Sequence, residues 1–316
     1  MKDLSPIVLF TYCRVNVTKK TVESLLANSE AKDSILYVFS DSFKNESSKI
    51  GVIETRDYVH SIKGFKDVVI VERAENWGLS KNLIDGITSV VNKHGKVIVI
   101  EDDTIVSRYF LKFMNEALCA YEGDSRIATV SGYNYEIPNL PECYFSRIGS
   151  CWGWATWKRA WDTFDSDAKL LYKSIKEKHL EKAFNDNDTY PFMAMLYNQV
   201  IGKVNSWAVR WHASTFLHNM YHIRVGKSLV SNAGFGLDGS THCSSNAEYY
   251  SNCLSEKPID LSKLGDVKPD TKACEKTQKY QNANLSFKWK IRRFLYKYHL
   301  NFLQCGNFKS NRWNGC

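Results

Sequence analysis

The chain has 316 residues, 44% of them hydrophobic and 13% aromatic, enough apolar material for one large domain or two fused lobes and too much for a disordered protein. No apolar run reaches the length needed to cross a bilayer, and nine singly spaced cysteines without a CxxC pair exclude a zinc module or a disulfide framework. The net charge of +8 comes with no nucleic-acid-binding motif, which excludes nucleic acid as the partner.

Met1 to Pro6 is polar and carries no signal-peptide core, so a cytoplasmic protein is expected. Ile7–Thr11 (IVLFT) predicts a strand, and Thr18–Asn28 a helix with Val22, Leu25 and Leu26 inward and Thr18 as its cap. Ile35–Ser40 (ILYVFS) predicts a second strand ending at Asp41, and a polar, loosely amphipathic segment runs from Glu46 to His60. Val68–Val71 predicts a third strand. Ser80–Asn92 predicts a helix with Leu83, Ile84, Ile87, Val90 and Val91 on one stripe and Gly95 beyond its end.

The most informative stretch follows: Val97-Ile98-Val99-Ile100 and then Glu101-Asp102-Asp103. Four apolar β-branched residues in a row predict a strand buried on both faces, as in a parallel sheet under helices. Open α/β folds bind their ligands at the C-terminal ends of such strands. Three adjacent carboxylates there repel one another, and hard oxygen ligands beside a phosphate-binding crevice suit Mg²⁺ or Mn²⁺. Alternating strands and helices over the first hundred residues predict an α/β fold, Rossmann-like, with a mostly parallel sheet and helices on both faces.

Beyond Asp103, Tyr109–Glu122 predicts a helix and Ile127–Ser131 a strand, with Pro138 and Pro141 marking a loop. Gly149-Ser150-Cys151-Trp152-Gly153-Trp154-Ala155-Thr156-Trp157 offers flat apolar rings and flexible glycines, although at least half of the tryptophans between 152 and 161 are expected in the core. Ala168–Phe184 is a charged helical segment, and an apolar helical segment leads into Asn205–Trp211. Strand character returns at Ser228–Val230, and from Ala247 the chain turns polar and loses periodicity. Ser286–Leu300 carries five basic residues and no acid, with Phe287, Ile291, Phe294, Leu295 and Tyr298 on one helical face. This suits either an anionic membrane surface or packing on the protein itself. His212, His218 and His222 belong to no motif and are expected to hydrogen-bond within the fold.

Val8–Arg14, Arg73–Asn82, Glu101–Asp103, and the Gly/Trp loop with the later Thr241-His242 together resemble the GT-A glycosyltransferases. They are most similar to bacterial cell-surface polysaccharide enzymes that share features with N-acetylglucosaminyltransferase I. The resemblance spans roughly the first 245 residues. It implies a nucleotide-sugar-binding lobe over 1–115, an acceptor-binding lobe over 116–245 and a C-terminal helical extension over 246–316. It implies that Thr11, Tyr12 and Arg14 contact the base and diphosphate, and that Asp41 faces the uracil or ribose. Arg73, Asn76, Gly78 and Asn82 would shape the nucleotide pocket. Asp103, with Asp102, would bind the metal, and His242 would complete its coordination. Gly153, Trp154 and Trp207 would line the acceptor side.

What the resemblance implies functionally is metal-dependent transfer, with inversion, of a sugar from a UDP-linked donor to a saccharide acceptor. The expected cytoplasmic location and the basic amphipathic stretch point to a lipid-linked oligosaccharide at the inner membrane face, and so to capsule, O-antigen or exopolysaccharide assembly. Inverting transfer needs a carboxylate to deprotonate the acceptor, yet Asn205, Ser206 and Ala208 occupy the stretch where relatives often carry it. Asp238, Asp186 or Asp188 would then be the base; alternatively Asn205 stands in for an acid and the chain is an impaired, scaffolding relative. A sugar nucleotidyltransferase is disfavoured because Thr11–Asn16 contains no glycine.

Overall fold

Alternate residues of the first strand belong to different hydrophobic clusters, and this decides the architecture. In β1 (Ile7–Thr11), Ile7 and Leu9 join one buried cluster while Val8 and Phe10 join another. β2 (Ile35–Ser40) and β4 (Lys96–Glu101) divide in the same way, so helices cover both faces of the sheet. The computed structural model describes residues 4–234 and 252–284. It is a mixed α/β protein.

One face is packed by α1 (Val15–Leu26) through Val22 and Leu25, and by α4 (Phe110–Ala120). The other is packed by α3 (Gly78–His94) through Leu83, Ile87, Val90 and Val91. Gly95 ends α3 in the left-handed region at φ 77°, a conformation costly for any residue with a Cβ. The polar segment after β2 is a full helix, α2 (Glu46–Ser61), begun by an Asn45–Ser48 capping box. Thr18 is not a cap: α1 starts at Val15, and the Thr18 hydroxyl donates to the Arg14 carbonyl inside the helix.

With β3 (Asp67–Glu72), β6 (Ile127–Ser131), β7 (Cys143–Ser146), β8 (Trp154–Trp157) and β9 (Tyr221–Val225), the sheet runs β3-β2-β1-β4-β8-β6-β9-β7. The first four strands are parallel. From β8 onward the pairing is mixed: β8 is antiparallel to β4 and β6, β9 is parallel to β6, and β7 is antiparallel to β9. The parallel expectation therefore holds for the first hundred residues. A separate ribbon pairs β5 (Thr104–Val106) with β10 (Val230–Asn232).

A third cluster joins α6 (Ala168–Glu177), α7 (Glu181–Phe184), α8 (Phe192–Val200) and α9 (Trp207–Leu217); the short α5 (Lys158–Trp161) precedes them. The polar stretch near the C-terminus contains α10 (Thr271–Asn284), which buries Ala273, Thr277 and Gln281 and sets the Thr277 hydroxyl 3.4 Å from that of Tyr144 in β7. The lobe boundary expected at 115/116 falls inside α4, and the first cluster runs from β1 to β9 across it. No helix among the described residues is long and apolar enough to cross a membrane. The basic stretch 286–300 lies outside the described residues.

Candidate functional site

β1 is paired with β2 on one side and β4 on the other. The order 3-2-1-4 makes this the point where the connections diverge, the place where open α/β sheets bind their ligands beyond the strands' C-terminal ends. Register puts Phe10 beside Glu101, so Thr11–Arg14 and Glu101–Asp103 leave the sheet together.

Arg14 closes over the acids. Its Nη2 donates to Asp102 Oδ1 and, at 3.0 Å, to Asp103 Oδ2, while Nε lies 3.4 Å from Asp102 Oδ2. The Tyr12 backbone N–H also donates to Asp102, and the Thr21 hydroxyl fixes the Asp102 carbonyl at 2.7 Å. Burial works against the Arg14 charge, yet the fields of Asp102 and Asp103 hold its pKa above the ordinary value. One guanidinium does not balance three acids. Burial, followed by the fields of Asp103 and Asp102, pushes Glu101 up to about 8. Burial lifts Asp102 to about 6, with Arg14 pulling it down and Asp103 pushing it up.

This excess of negative charge is the test of whether a divalent ion fits. Mg²⁺ and Mn²⁺ are held by one or two carboxylates, with substrate phosphates completing the shell. Asp102 and Asp103 present that donor set, and Arg14 leaves them a net negative charge that such an ion would offset. No group of three or more metal-ligating side chains is assembled among the described residues, so phosphate oxygens would have to complete the coordination.

Asp41 does a different job from the one expected. Its Oδ1 accepts from the N–H groups of Ser42 and Trp77, both at 2.9 Å; its Oδ2 accepts from Gly78 N–H at 2.8 Å and Asn76 Nδ2 at 3.1 Å. With four donors on two oxygens it anchors the start of α3 and has little capacity left for a nucleotide. Arg73 is likewise engaged, through Nε to Asn82 Oδ1 at 2.8 Å and Nη2 to Asp85, while its guanidinium lies 3.9 Å from the centre of the Trp77 ring. Tyr12 donates its hydroxyl to Ser48 and receives the Lys44 N–H. Thr11 ends β1 with a buried hydroxyl that has no partner.

The acceptor-side tryptophans are corrected. Trp154 is 1% exposed and stacks at 5.5 Å on Trp207, itself 5% exposed. Both belong to the core cluster under α3, so neither has a face for a sugar. Gly153 is needed for its φ of 55° and for the approach of Val230, whose Cγ2 would lie 2.5 Å from an added Cβ. Asn205 accepts from the buried Arg210 at 3.2 Å and is a structural ligand of that guanidinium. Asp186 accepts from Gln278 at 2.7 Å and, with Asn187, lines a separate cavity of about 530 Å³ with none of Glu101–Asp103 in its wall. Asp238 and His242 lie outside the described residues.

Three residues by the acids carried no assignment in the sequence. The β5–β10 ribbon returns the chain so that Ala233 N–H donates to the Asp103 carbonyl at 2.8 Å, and Asn232 Nδ2 lies 3.4 Å from Asp103 Oδ1. A Cβ on Gly234 would overlap Asp103 Oδ2 and lie 3.1 Å from Arg14 Nη1. Their only signal was a position just after a short strand in a glycine-containing segment.

No family model and no curated protein matches the chain. Among solved structures, the mannosyltransferase PcManGT from Pyrobaculum calidifontis, in complex with GDP-Man and Mn²⁺, is 12% identical with a TM-score of 0.39, over 68% of this chain and 72% of that one. TarS from S. aureus is 11% identical with a TM-score of 0.30, over 44% of this chain and 24% of that one. Both superpositions are too loose to carry a functional assignment.

Proposed function

We propose that this chain is a GT-A-type, divalent-metal-dependent glycosyltransferase. It moves a hexosyl or N-acetylhexosaminyl group from a nucleotide diphosphate donor, UDP-linked in the first instance, to a saccharide or lipid-linked acceptor in cell-surface polysaccharide synthesis. The observation that carries the reading is the carboxylate pair Asp102–Asp103, under Arg14, at the C-terminal ends of the neighbouring strands β1 and β4.

Asp102 and Asp103 would hold the ion, which when bound supplies charge compensation for the departing diphosphate. Arg14 offsets part of the charge of the acids and would face the diphosphate. The Asp41-anchored loop through Asn76 and Gly78 forms the wall of the nucleotide side. Inversion follows from the sequence resemblance, and an acceptor at the inner membrane face and attachment through the basic stretch 286–300 follow from the chain's composition; all three belong to the proposal.

The test is sugar transfer, or donor hydrolysis, with radiolabelled UDP-sugars with and without EDTA. Activity should fall to background in chelator and return with Mn²⁺; full activity in chelator removes the metal role assigned to Asp103. Nucleotide binding without turnover on any acceptor would favour the impaired, scaffolding reading.

A further inference from the structure

β9 reads Tyr221-His222-Ile223-Arg224-Val225, with Ile223 and Val225 in the sheet core and His222 and Arg224 on the opposite face. Both are buried, at 2% and 3% exposure. They line a cavity of about 90 Å³ together with Trp211 of α9 and Gln281 of α10. Each of these four side chains has a buried polar atom without a hydrogen-bond partner: His222 Nε2, Arg224 Nε, Trp211 Nε1 and Gln281 Oε1. Buried polar atoms are rarely left unpaired. Four around one cavity define a site built for a polar occupant.

The charge states what kind. Arg224 Nη2 donates to Asn134 Oδ1 at 2.9 Å, and no carboxylate among the described residues pairs with the guanidinium. Asp186 is near enough for its field to be felt, but its carboxylate is taken by Gln278. His222 adds no second cation: burial, followed by the fields of His212, Arg224 and Arg147, pushes its pKa down to about 3. In the tautomer in which the Thr129 hydroxyl donates to Nδ1, its Nε2 carries the proton. The cavity thus offers a cationic N–H, two neutral N–H groups and one carbonyl oxygen. Gly149 lets the backbone close over this ring, since a Cβ there would lie 2.7 Å from His222 Nδ1.

We propose that this cavity is the subsite for a carboxylate on the acceptor saccharide, held by Arg224, His222 and Trp211, with a neighbouring sugar hydroxyl donating to Gln281. The inference rests on the glycosyltransferase reading and names its acceptor as an acidic sugar. Position supports this: β8 is antiparallel to β4 with Trp154 beside Val99, so Cys151 and Trp152, in the cavity wall, precede β8 at the end of β4 that carries Glu101. A carboxylate suits one cation and neutral donors better than a phosphate dianion does.

The experiment is calorimetric titration of the full chain with glucuronate, glucose and glucose 6-phosphate, with a parallel titration of UDP plus Mn²⁺. Glucuronate should bind at least tenfold tighter than either comparison sugar. Gln281→Glu, nearly isosteric, sets a carboxylate in the cavity beside Arg224 and should abolish that preference while the melting temperature holds. Arg224→Gln should abolish it too. Equal binding of glucuronate and glucose, no binding of either, tighter binding of glucose 6-phosphate, or a preference that survives in a folded Gln281→Glu protein would overturn the inference. Failure of UDP and Mn²⁺ to bind would instead count against the glycosyltransferase reading, whatever the sugars do.

Discussion

Arg14 Nη2 and Asp103 Oδ2 lie 3.0 Å apart across a sequence separation of 89 residues, and the pairing exists only because β1 and β4 are neighbours. Removing the cation leaves Glu101, Asp102 and Asp103 with no counter-charge from that side. Breaking a largely buried pair by deleting one partner costs about 3–5 kcal/mol, and the residual exposure of Arg14 places Arg14→Met at roughly the lower end of that range. Urea denaturation at pH 8 should show the loss. It should shrink on acidification to pH 5, or on addition of millimolar Mn²⁺, because either treatment cancels the same uncompensated charge. A loss independent of both would mean that Arg14 acts through packing.

Glu101 gives the opposite handle. Its native pKa is raised to about 8 from an ordinary 4.5, so the native protein keeps a proton that the unfolded chain surrenders. Native stability is therefore fully expressed below pH 4.5 and declines as pH rises to about 8, the range in which the unfolded state binds fewer protons. Glu101→Gln cannot ionise and lacks this component. Its urea midpoint should fall less than the wild-type midpoint between pH 5 and pH 8, leaving the variant the more stable at the alkaline end. Parallel curves would show that Glu101 is not a suppressed acid.

Asp41 binds four donors and holds the loop before α3. Asp41→Ala strips three backbone N–H groups and the Asn76 amide of their common acceptor. Hydrogen bonds to charged groups contribute about 1.5–3 kcal/mol each, and much of that is recovered from water once a loop loosens. A destabilisation of about 3 kcal/mol is expected from these values. Amide hydrogen exchange should locate it, with Trp77 and Gly78 losing protection first. Retained protection there with reduced UDP affinity would restore Asp41 to the nucleotide.

The first four strands were legible because a parallel strand buried on both faces is written as an unbroken apolar run, and Val97–Ile100 could hardly be anything else. The later strands are not written that way. β8 is Trp-Ala-Thr-Trp, which reads as an aromatic loop; β9 carries a histidine and an arginine inward; β5 has three residues. α10 was hidden because it buries Ala273, Thr277 and Gln281, a helical spacing without an apolar stripe. In the candidate site, the acids announced themselves by adjacency on the chain. The capture of Asp102 and Asp103 by Arg14, and the Trp154–Trp207 stack, depend on strand order and helix packing, which no local pattern encodes. Residues that a motif marks as ligand-facing, such as Asp41 and Asn205, proved to be held by protein donors that only the folded chain brings near.

Gly234 supplies the most selective probe of the carboxylate pair. It lies two residues beyond the end of β10, and its N–H donates to Asn232 Oδ1 at 2.7 Å, so the backbone is fixed where a Cβ would overlap Asp103 Oδ2. Its φ is not in the left-handed region, so alanine is compatible with the backbone and acts only through that methyl group. Gly234→Ala should therefore leave the melting temperature within a few degrees of wild type, since Asp103 can turn aside while Arg14 keeps its pair with Asp102. Divalent-ion affinity should drop by about tenfold or more, because metal sites depend on tightly held ligand positions. Manganese titration followed by electron paramagnetic resonance, with UDP present, reads this directly. An unchanged manganese affinity would mean that Asp103 is not a ligand, and the assignment would pass to Asp102 and Glu101.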